Sequence, residues 1–535
     1  MFSKKMKGAT NMPTRESWIG YDTKRYAFDA VSKWINTIET QRQVSPSRNG
    51  CLAILGVRKA GKSVLLQQLY ELAPENSVYA DIRNLDFDTA QKIKDWFAQW
   101  DITSITRIYL DEVCKIPDSL RNTFCSCIQG YANRKVIVIT GSTKYGVRKI
   151  SNEIGSGTIF DLCPILYSER LLWGSSSEGT QQSLRNLSSV DKYRLYLHYN
   201  EIFADKTGLN YIASVLSDTL NSCLHNFKNA ENASLKRIVS EISNDSSKLS
   251  NLLTYVSLAQ HIFVMPSSGQ IVSIPNLNKP DINLSKELSN LYDVLATRQG
   301  IKKVDIVAFC KLLREAGLAR DAYNSTDSQK TLDVVNKCLG TASSPAHKRL
   351  EALTRLDSET PSMLFEFPQF SSYVFQDSLG NNIDVESKWV EDSILLKAAY
   401  CYSFVDKYRS STGDTELDVL YTSLMGMSDV FAVEVKNRPM SNLNRDQLFG
   451  YARKATELGI SELVLTATDV NAFVRNYDGY LPINFYRVDL LYLALEQEYV
   501  SLSRDYLLGK IDIPYTKLRI SELMQKYGLD EKIEQ

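Results

Sequence analysis

Several things are scarce in this chain of 535 residues, and each scarcity removes a class of function. Only four histidines occur, isolated at His198, His225, His261 and His347, so a histidine-based metal site is not expected. The nine cysteines are spread loosely; Cys125 and Cys127 are close, but no second pair completes a zinc site. An odd count at loose spacing reads as reduced thiols of a cytosolic protein. No apolar run approaches the ~18 residues of a membrane span. The basic start, Met1 to Met6, lacks the apolar stretch of a secretory leader. Net charge is missing too: 62 Lys plus Arg balance 62 Asp plus Glu. That argues against a basic nucleic-acid coat or an acidic disordered chain, although a local basic groove escapes such a sum. No repeat of fixed period is found. The expectation is a soluble, cytoplasmic protein with no membrane partner.

What is present is ordinary globular composition, 44% hydrophobic and 23% charged, in a chain long enough for three or four domains of about 150 residues. Residues 51–56 form a short apolar run ending in glycine, as a buried parallel strand does. Helical spacing follows over 63–72, with Val64, Leu65, Leu69 and Leu72 on one side. Apolar runs at 78–82, 105–110 and 136–140 are separated by helical patterns such as 89–97 and 119–131. Strands alternating with helices predict a parallel sheet covered on both faces. A polar Gly/Ser-rich stretch at 174–183 reads as a linker. Residues 189–262 are mostly helical by spacing, broken at 243–247, and 286–320 give two or three short amphipathic helices. The last of these, 309–318, has the look of a winged-helix recognition segment or else of a plain helical spacer. From about 360 a helix (390–402), β-rich runs (415–421 and 430–435), a helix (446–458) and a strand (462–466) predict a second, small α/β domain. The reading is a multidomain α/β chain: 1–175, 185–355 and 360–535.

Gly56-Val-Arg-Lys-Ala-Gly61-Lys62-Ser63 matches G-x-x-x-x-G-K-[ST] between a strand and a helix. Such a loop closes backbone amides, here those of Gly56, Lys59, Gly61, Lys62, Ser63 and Val64, around the phosphates of ATP. Lys62 would reach the β- and γ-phosphates, and the Ser63 hydroxyl would hold Mg²⁺. The strand 108–112 ends in Asp111 and Glu112; Asp111 would support the Mg²⁺ and Glu112 would polarise the attacking water. At the tip of 136–140, Ser142 or, as its rival, Thr140 could touch the γ-phosphate or the water. Transition-state charge calls for a cation, with Arg148 or Arg170 as candidates unless a neighbouring subunit supplies it.

Residues from about 50 to 172 resemble AAA+ ATPases of bacteria and archaea that carry a C-terminal nuclease-like domain. The resemblance rests on Gly56 to Ser63, on Leu110-Asp111-Glu112, on Thr140-Gly141-Ser142 and on Pro164-Ile-Leu-Tyr-Ser-Glu169. Where that family usually has Gly-Arg before the proline, this chain has Gly157-Thr158, so the arginine implied there is absent. Its loss points to a homo-oligomer completing the site.

The last third holds a second constellation. Glu434 and Lys436 are two apart in one strand and face the same side, and Asp418 can meet them from its neighbour. Converging carboxylates bind Mg²⁺ or Mn²⁺ through hard oxygens, and a lysine beside them can orient water. Gln447 and Tyr451 share a helix face, and Glu386 or Glu391, on or near the preceding helix, could add a ligand. This set resembles the PD-(D/E)xK nuclease fold, and Gln447-x-x-x-Tyr451 resembles the extra motif of its RecB-like branch. The proline of the first element is replaced by Leu417. The resemblance implies Asp418, Glu434, Lys436, Gln447 and Tyr451 as catalytic residues, metal held by Asp418, Glu434 and Glu391, DNA as partner, and a setting in genome defence or mobile-element control. The alternative is an ATPase switch whose nuclease-like domain only binds nucleic acid or protein.

Overall fold

The computed structural model describes residues 24–44, 49–173, 188–198, 208–223, 229–260, 290–321, 363–366, 385–401, 404–409, 416–422 and 430–507, less positions 59, 102–103, 156–157, 291, 458 and 471. The expected linker at 174–183 and Lys59 lie outside these residues.

Five short strands, β1 (Cys51–Leu55), β2 (Ser77–Asp81), β3 (Arg107–Asp111), β4 (Val136–Thr140) and β5 (Thr158–Asp161), make a parallel sheet in the order β2-β3-β4-β1-β5. Every residue of β1 and β4 is buried, which is why these runs are apolar throughout rather than alternating. The helices are α1 (Phe28–Val44), α2 (Lys62–Glu71), α3 (Ala90–Ala98), α4 (Asp118–Ala132), α5 (Lys144–Ile154) and α6 (Tyr167–Trp173). One face of the sheet packs Leu52, Ile54 and Val138 against Val31, Ile35, Leu65 and Leu69. The other packs Leu55, Ile108 and Ile139 against Ile93, Phe97, Phe124 and Ile150. All five strands run the same way, so the ends of β1, β3 and β4 open on one edge, where ligands of such sheets bind.

The middle of the chain is helical, with α7 (Ser189–His198), α8 (Gly208–Cys223), α9 (Asn229–Asn244), α10 (Ser246–Gln260) and α11 (Lys303–Ala316). The expected break at 243–247 narrows to Asp245, whose carboxylate accepts the Ser247 amide at 2.9 Å and starts α10. Residues 309–318 lie mostly in α11. Phe309, Leu312, Leu313, Ala316 and Leu318 are buried in the core shared with α1 and α2, so this apolar face is already occupied. A two-stranded antiparallel sheet follows, β6 (Ala319–Asp321) with β7 (Met363–Phe365).

The third unit has α12 (Val385–Cys401), β8 (Phe404–Arg409), β9 (Glu416–Thr422), β10 (Val430–Glu434), α13 (Arg445–Glu457), β11 (Glu462–Ala467), β12 (Ala472–Tyr477), β13 (Tyr480–Arg487) and α14 (Val488–Leu507). The sheet order is β12-β13-β11-β10-β9-β8; β10, β11 and β13 are parallel and the remaining pairs antiparallel. β8 and the β12–β13 hairpin exceed the strands expected from the sequence. Helices α12 and α14 cover one face through Val390, Ile394, Leu491 and Leu495, joined there by Tyr193 and Leu197 of α7. Helix α13 covers the other through Leu448, Ala452 and Ala455.

Buried charge joins the units. Glu496 on α14 accepts the first-turn amides of α6, Tyr167 N at 2.8 Å and Ser168 N at 2.9 Å, groups with no partner inside their own helix. Lys397 of α12 faces the same carboxylate at 3.7 Å. Elsewhere two cations and two acids meet: Lys144 lies 2.8 Å from Asp161, and Arg320 lies 3.2 Å from Asp161 and 3.1 Å from Glu366. Tyr400 of α12 donates its hydroxyl to Glu366.

Candidate nucleotide and carboxylate sites

The loop between β1 and α2 depends on two glycines. Gly56 has φ +153° and a Cβ there would meet the Leu162 carbonyl oxygen at 2.6 Å; Gly61 has φ +80° and a Cβ would meet the Arg25 guanidinium at 2.8 Å. Both positions exclude a side chain. Lys62 is buried and donates to the carbonyls of Gly56 at 2.9 Å and Val57 at 2.8 Å. Burial brings its pKa down to about 8, against the pull of Asp111 and Glu112. Ser63 and Val64 stand half-buried in the first turn of α2.

Asp111, at the end of β3, is buried and accepts the Tyr79 hydroxyl at 2.9 Å and the Glu112 amide at 2.8 Å. Burial raises its pKa, while a hydrogen bond from Ser63 pulls the other way. A buried carboxylate beside a hydroxyl, on the floor of a phosphate-binding loop, is a hard-oxygen donor set that fits Mg²⁺. Glu112 is the one non-glycine residue with positive φ, 56°, among the described residues. That left-handed backbone turns its side chain toward β4, where it accepts the Ser142 amide at 3.2 Å. The Ser142 hydroxyl lies 3.3 Å from the Cys114 sulfur. Thr140 is different: its buried hydroxyl donates to the Ile54 carbonyl at 2.9 Å, so it ties β4 to β1 and Ser142 holds the position at the edge.

Of the candidate arginines, only the Arg148 side chain is described. Arg148 is exposed on α5, where its charge acts on Asp161 and Glu315, and the Arg170 side chain lies outside the described residues. Three other cations were not singled out from the sequence. Arg83 is paired through two nitrogens with Asp81, close enough to Asp111 and Glu112 for their charges to add to the upward pull of Asp81 on its pKa. Arg58 lies 3.8 Å from Asp218, an acid of α8 that also lies 3.7 Å from Lys115, so the helical unit overhangs the loop. Arg25 is buried, with its guanidinium on the Ala60 carbonyl, the Cys163 carbonyl at 3.1 Å and Glu169 at 2.9 Å. Glu169 is the acid of the Pro164–Glu169 segment; it also takes the amides of Tyr26 at 2.7 Å and Leu166 at 2.8 Å. That segment therefore props the loop from below.

In the third unit β9 and β10 run antiparallel with Val433 opposite Val419, which sets Glu434 against Asp418 one step further on. Both acids are buried. Asp418 accepts the Val435 amide at 2.8 Å, and Tyr451 of α13 donates to Glu434 at 2.7 Å. The Lys436 ammonium pairs with Glu434 and lies 4.0 Å from Asp418, while its own amide donates to Thr466 of β11 at 2.7 Å. Burial, then the charges of Glu434 and Glu391, push the Asp418 pKa well up. Burial pulls Lys436 down, but the two carboxylates outweigh it and hold the ammonium above its ordinary range. Glu391 on α12 thus reaches Asp418; for Glu386 no side chain is described. Gln447, expected to act beside Tyr451, is instead exposed on α13 and makes no hydrogen bond to the carboxylates among the described residues. Two carboxylates with a third in reach form a donor set of the kind hard divalent ions take. Among the described residues, however, no three His, Cys, Asp or Glu side chains are arranged to hold a metal ion.

Residues 48–171 match the AAA domain family. With the five-stranded parallel sheet, this segment is a P-loop ATPase domain of the AAA type. No curated protein matches the chain. Among solved structures, a DNA replication initiation factor is 13% identical over 51% of this chain and 81% of its own, with TM-score 0.21. DnaA from Aquifex aeolicus bound to AMPPCP is 14% identical over 51% and 80%, with TM-score 0.21. Cdc6p from Pyrobaculum aerophilum is 14% identical over 58% and 88%, with TM-score 0.22. TM-scores this low support no conclusion about what this chain binds or how it assembles. No helix among the described residues is long and apolar enough to cross a membrane.

Proposed function

We propose that the chain hydrolyses ATP in its first unit and uses that cycle to govern a divalent-metal DNA nuclease site in its third. The observation that carries the second half is the meeting of Asp418, Glu434, Lys436 and Tyr451 at adjoining strand ends under one helix.

At the first site, Lys62 leaves the Gly56 and Val57 carbonyls when a phosphate offers a stronger acceptor, and regains the charge that burial had weakened. Ser63 and Asp111 would hold Mg²⁺, which supplies charge neutralisation on the β- and γ-phosphates. Glu112 polarises water once it gives up the Ser142 amide, and Ser142 is then free to face the γ-phosphate. At the second site Asp418 and Glu434, with Glu391, would hold Mg²⁺ or Mn²⁺, which supplies an activated water at neutral pH. Lys436 orients that water and offsets charge on the phosphate, and Tyr451 fixes the Glu434 rotamer. The middle unit, in which α11 leads into β6–β7, suits a winged-helix-like DNA contact. A homo-oligomer supplying an arginine would complete the first site.

A second reading is favoured by one observation: no three metal-type side chains converge among the described residues, and Lys436 already neutralises Glu434. On that reading the third unit is a binding module and the chain an ATP-driven switch. One assay separates them. Linear, circular and single-stranded DNA are incubated with Mg²⁺ or Mn²⁺, with and without ATP, beside Asp418→Ala. Cutting that vanishes in the variant establishes the nuclease; no cutting beside a measurable ATPase rate leaves the switch.

A further inference from the structure

Of the four large apolar residues exposed among the described residues, Leu72, Phe449, Val474 and Tyr480, two touch each other. Phe449 of α13 and Tyr480 of β13 meet edge to face, centroids 5.2 Å apart at 83°, and Tyr477 closes the group 6.0 Å from Phe449. Phe449 is 40% exposed and Tyr480 36%. Along α13, Arg445, Phe449 and Arg453 follow at four-residue steps and form one stripe. Arg445 is exposed and has no ion pair among the described residues; Arg453 is exposed and only loosely paired with Glu457, at 3.7 Å. The stripe lies on the flank of α13 away from Tyr451, because residues two apart point to nearly opposite sides of a helix.

From this juxtaposition we infer that Phe449 and Tyr480 form a base-stacking platform for single-stranded nucleic acid, with Arg445 and Arg453 on its phosphates. A pair of rings, with an arginine one turn to either side of Phe449, supplies what such binding uses, a π-face for a base and charge for the backbone. The surroundings argue against a protein partner: Arg445, Asp446 and Arg453 on α13 and Asp478, between Tyr477 and Tyr480, are exposed, so the rings form a small apolar group among charges rather than the ~1,000 Å² of a stable interface. A duplex does not fit either, since its bases show only their edges outside the stack. One helix then carries the platform on one flank and the Tyr451 contact to Glu434 on the other, so a bound strand crossing α13 arrives at the carboxylates.

The inference rests on reading the third unit as nucleic-acid processing, and its test is kept separate from cleavage. The full chain is titrated in EDTA against a fluorescent oligothymidine of about 12 nucleotides and against its duplex. Single strands are expected to bind more tightly. Phe449→Ala and Tyr480→Ala should each weaken binding about tenfold, and Phe449→Trp should restore it, which loss of folding would not allow. Arg445→Ala should lower the slope of log affinity against log salt by about 0.7. ATPase rate in all four variants should stay near wild type. Equal affinity of wild type and Phe449→Ala would overturn the platform, as would tighter binding of duplex. Conversion of a dimer to a monomer by Phe449→Ala, with DNA affinity unchanged, would overturn it in favour of a contact between copies. A chain that binds in EDTA but never cuts with Mg²⁺ sinks the nuclease reading alone. One that cuts with Mg²⁺ but binds alike with and without Phe449 sinks the platform alone.

Discussion

Two lysines, the buried Lys62 and the half-buried Lys436, sit in opposite fields. Lys62 rests on backbone carbonyls, neutral groups that only half replace water, and burial draws its pKa to about 8. Lys436, half-buried, rests on two carboxylates and is held charged beyond its ordinary range. The first is a cation whose acids, Asp111 and Glu112, act on it without an ion pair among the described residues, so it is poised for an anionic ligand. The second is a cation whose counter-ions are part of the fold, so any ligand there must displace or share them. The same side chain thus marks a receptive site in one sheet and a self-neutralised one in the other.

The largest effect should come from removing the receptive lysine. Lys62→Ala is expected to abolish nucleotide binding and turnover; a wild-type ATPase rate in this variant would break the comparison at its first term. Lys436→Ala should abolish cleavage while leaving ATPase activity within about twofold, the ordinary range of an uncoupled site. Equal loss of both activities would mean that the two lysines do not serve separable sites. Glu434→Gln leaves the half-buried Lys436 with only Asp418 at 4.0 Å, and since water still reaches the ammonium the loss should stay below the ~3–5 kcal/mol of a fully buried pair. Denaturant unfolding of the third unit should show that loss, and Glu434→Gln with Lys436→Met should recover part of it.

Proton linkage sharpens the contrast at smaller amplitude. Lys62 has a folded pKa near 8, below its ordinary 10.5, so the unfolded chain holds more protons between those values and stability rises with pH there. ATP binding at pH 9 should take up a proton through Lys62, measurable by calorimetry in buffers of different ionisation enthalpy; binding at pH 9 with no uptake would reverse the assigned field. Asp418 is shifted upward by burial and its acid neighbours, so the native chain holds the extra proton and stability falls as pH rises above the ordinary 3.8. Asp418→Asn should flatten that fall, and its melting temperature should exceed wild type more at pH 8 than at pH 5. A larger gain at pH 5 would reverse the assigned field.

The two sites were unequally legible in the sequence. The phosphate loop is contiguous and built on backbone, so its glycines, Lys62 and Ser63 could be read in order. The two-residue period of a strand suggested that Glu434 and Lys436 project together; the pair forms although β10 ends at Glu434, and the helix expected at 446–458 is observed as Arg445–Glu457. Arg25, Tyr79 and Thr466 carried no such mark, because each meets its site from a distant part of the chain. The β12 strand escaped notice for a different reason: its residues alternate between exposed and half-buried and none is fully buried, so no apolar run announces it. Gln447 shows the converse, since a motif position four residues from Tyr451 stands on the helix without reaching the acids.

The short helix α6 carries Glu169, which holds Arg25 under the loop, and its own first turn is closed by Glu496 of α14. Whoever expresses the first unit alone, cutting the gene anywhere after α6, removes that closing carboxylate and exposes two unpaired amides next to the loop's prop. Kinetic constants measured on such a fragment would describe a weakened enzyme. The unit that looks autonomous in the sequence has its last fastening some 330 residues downstream.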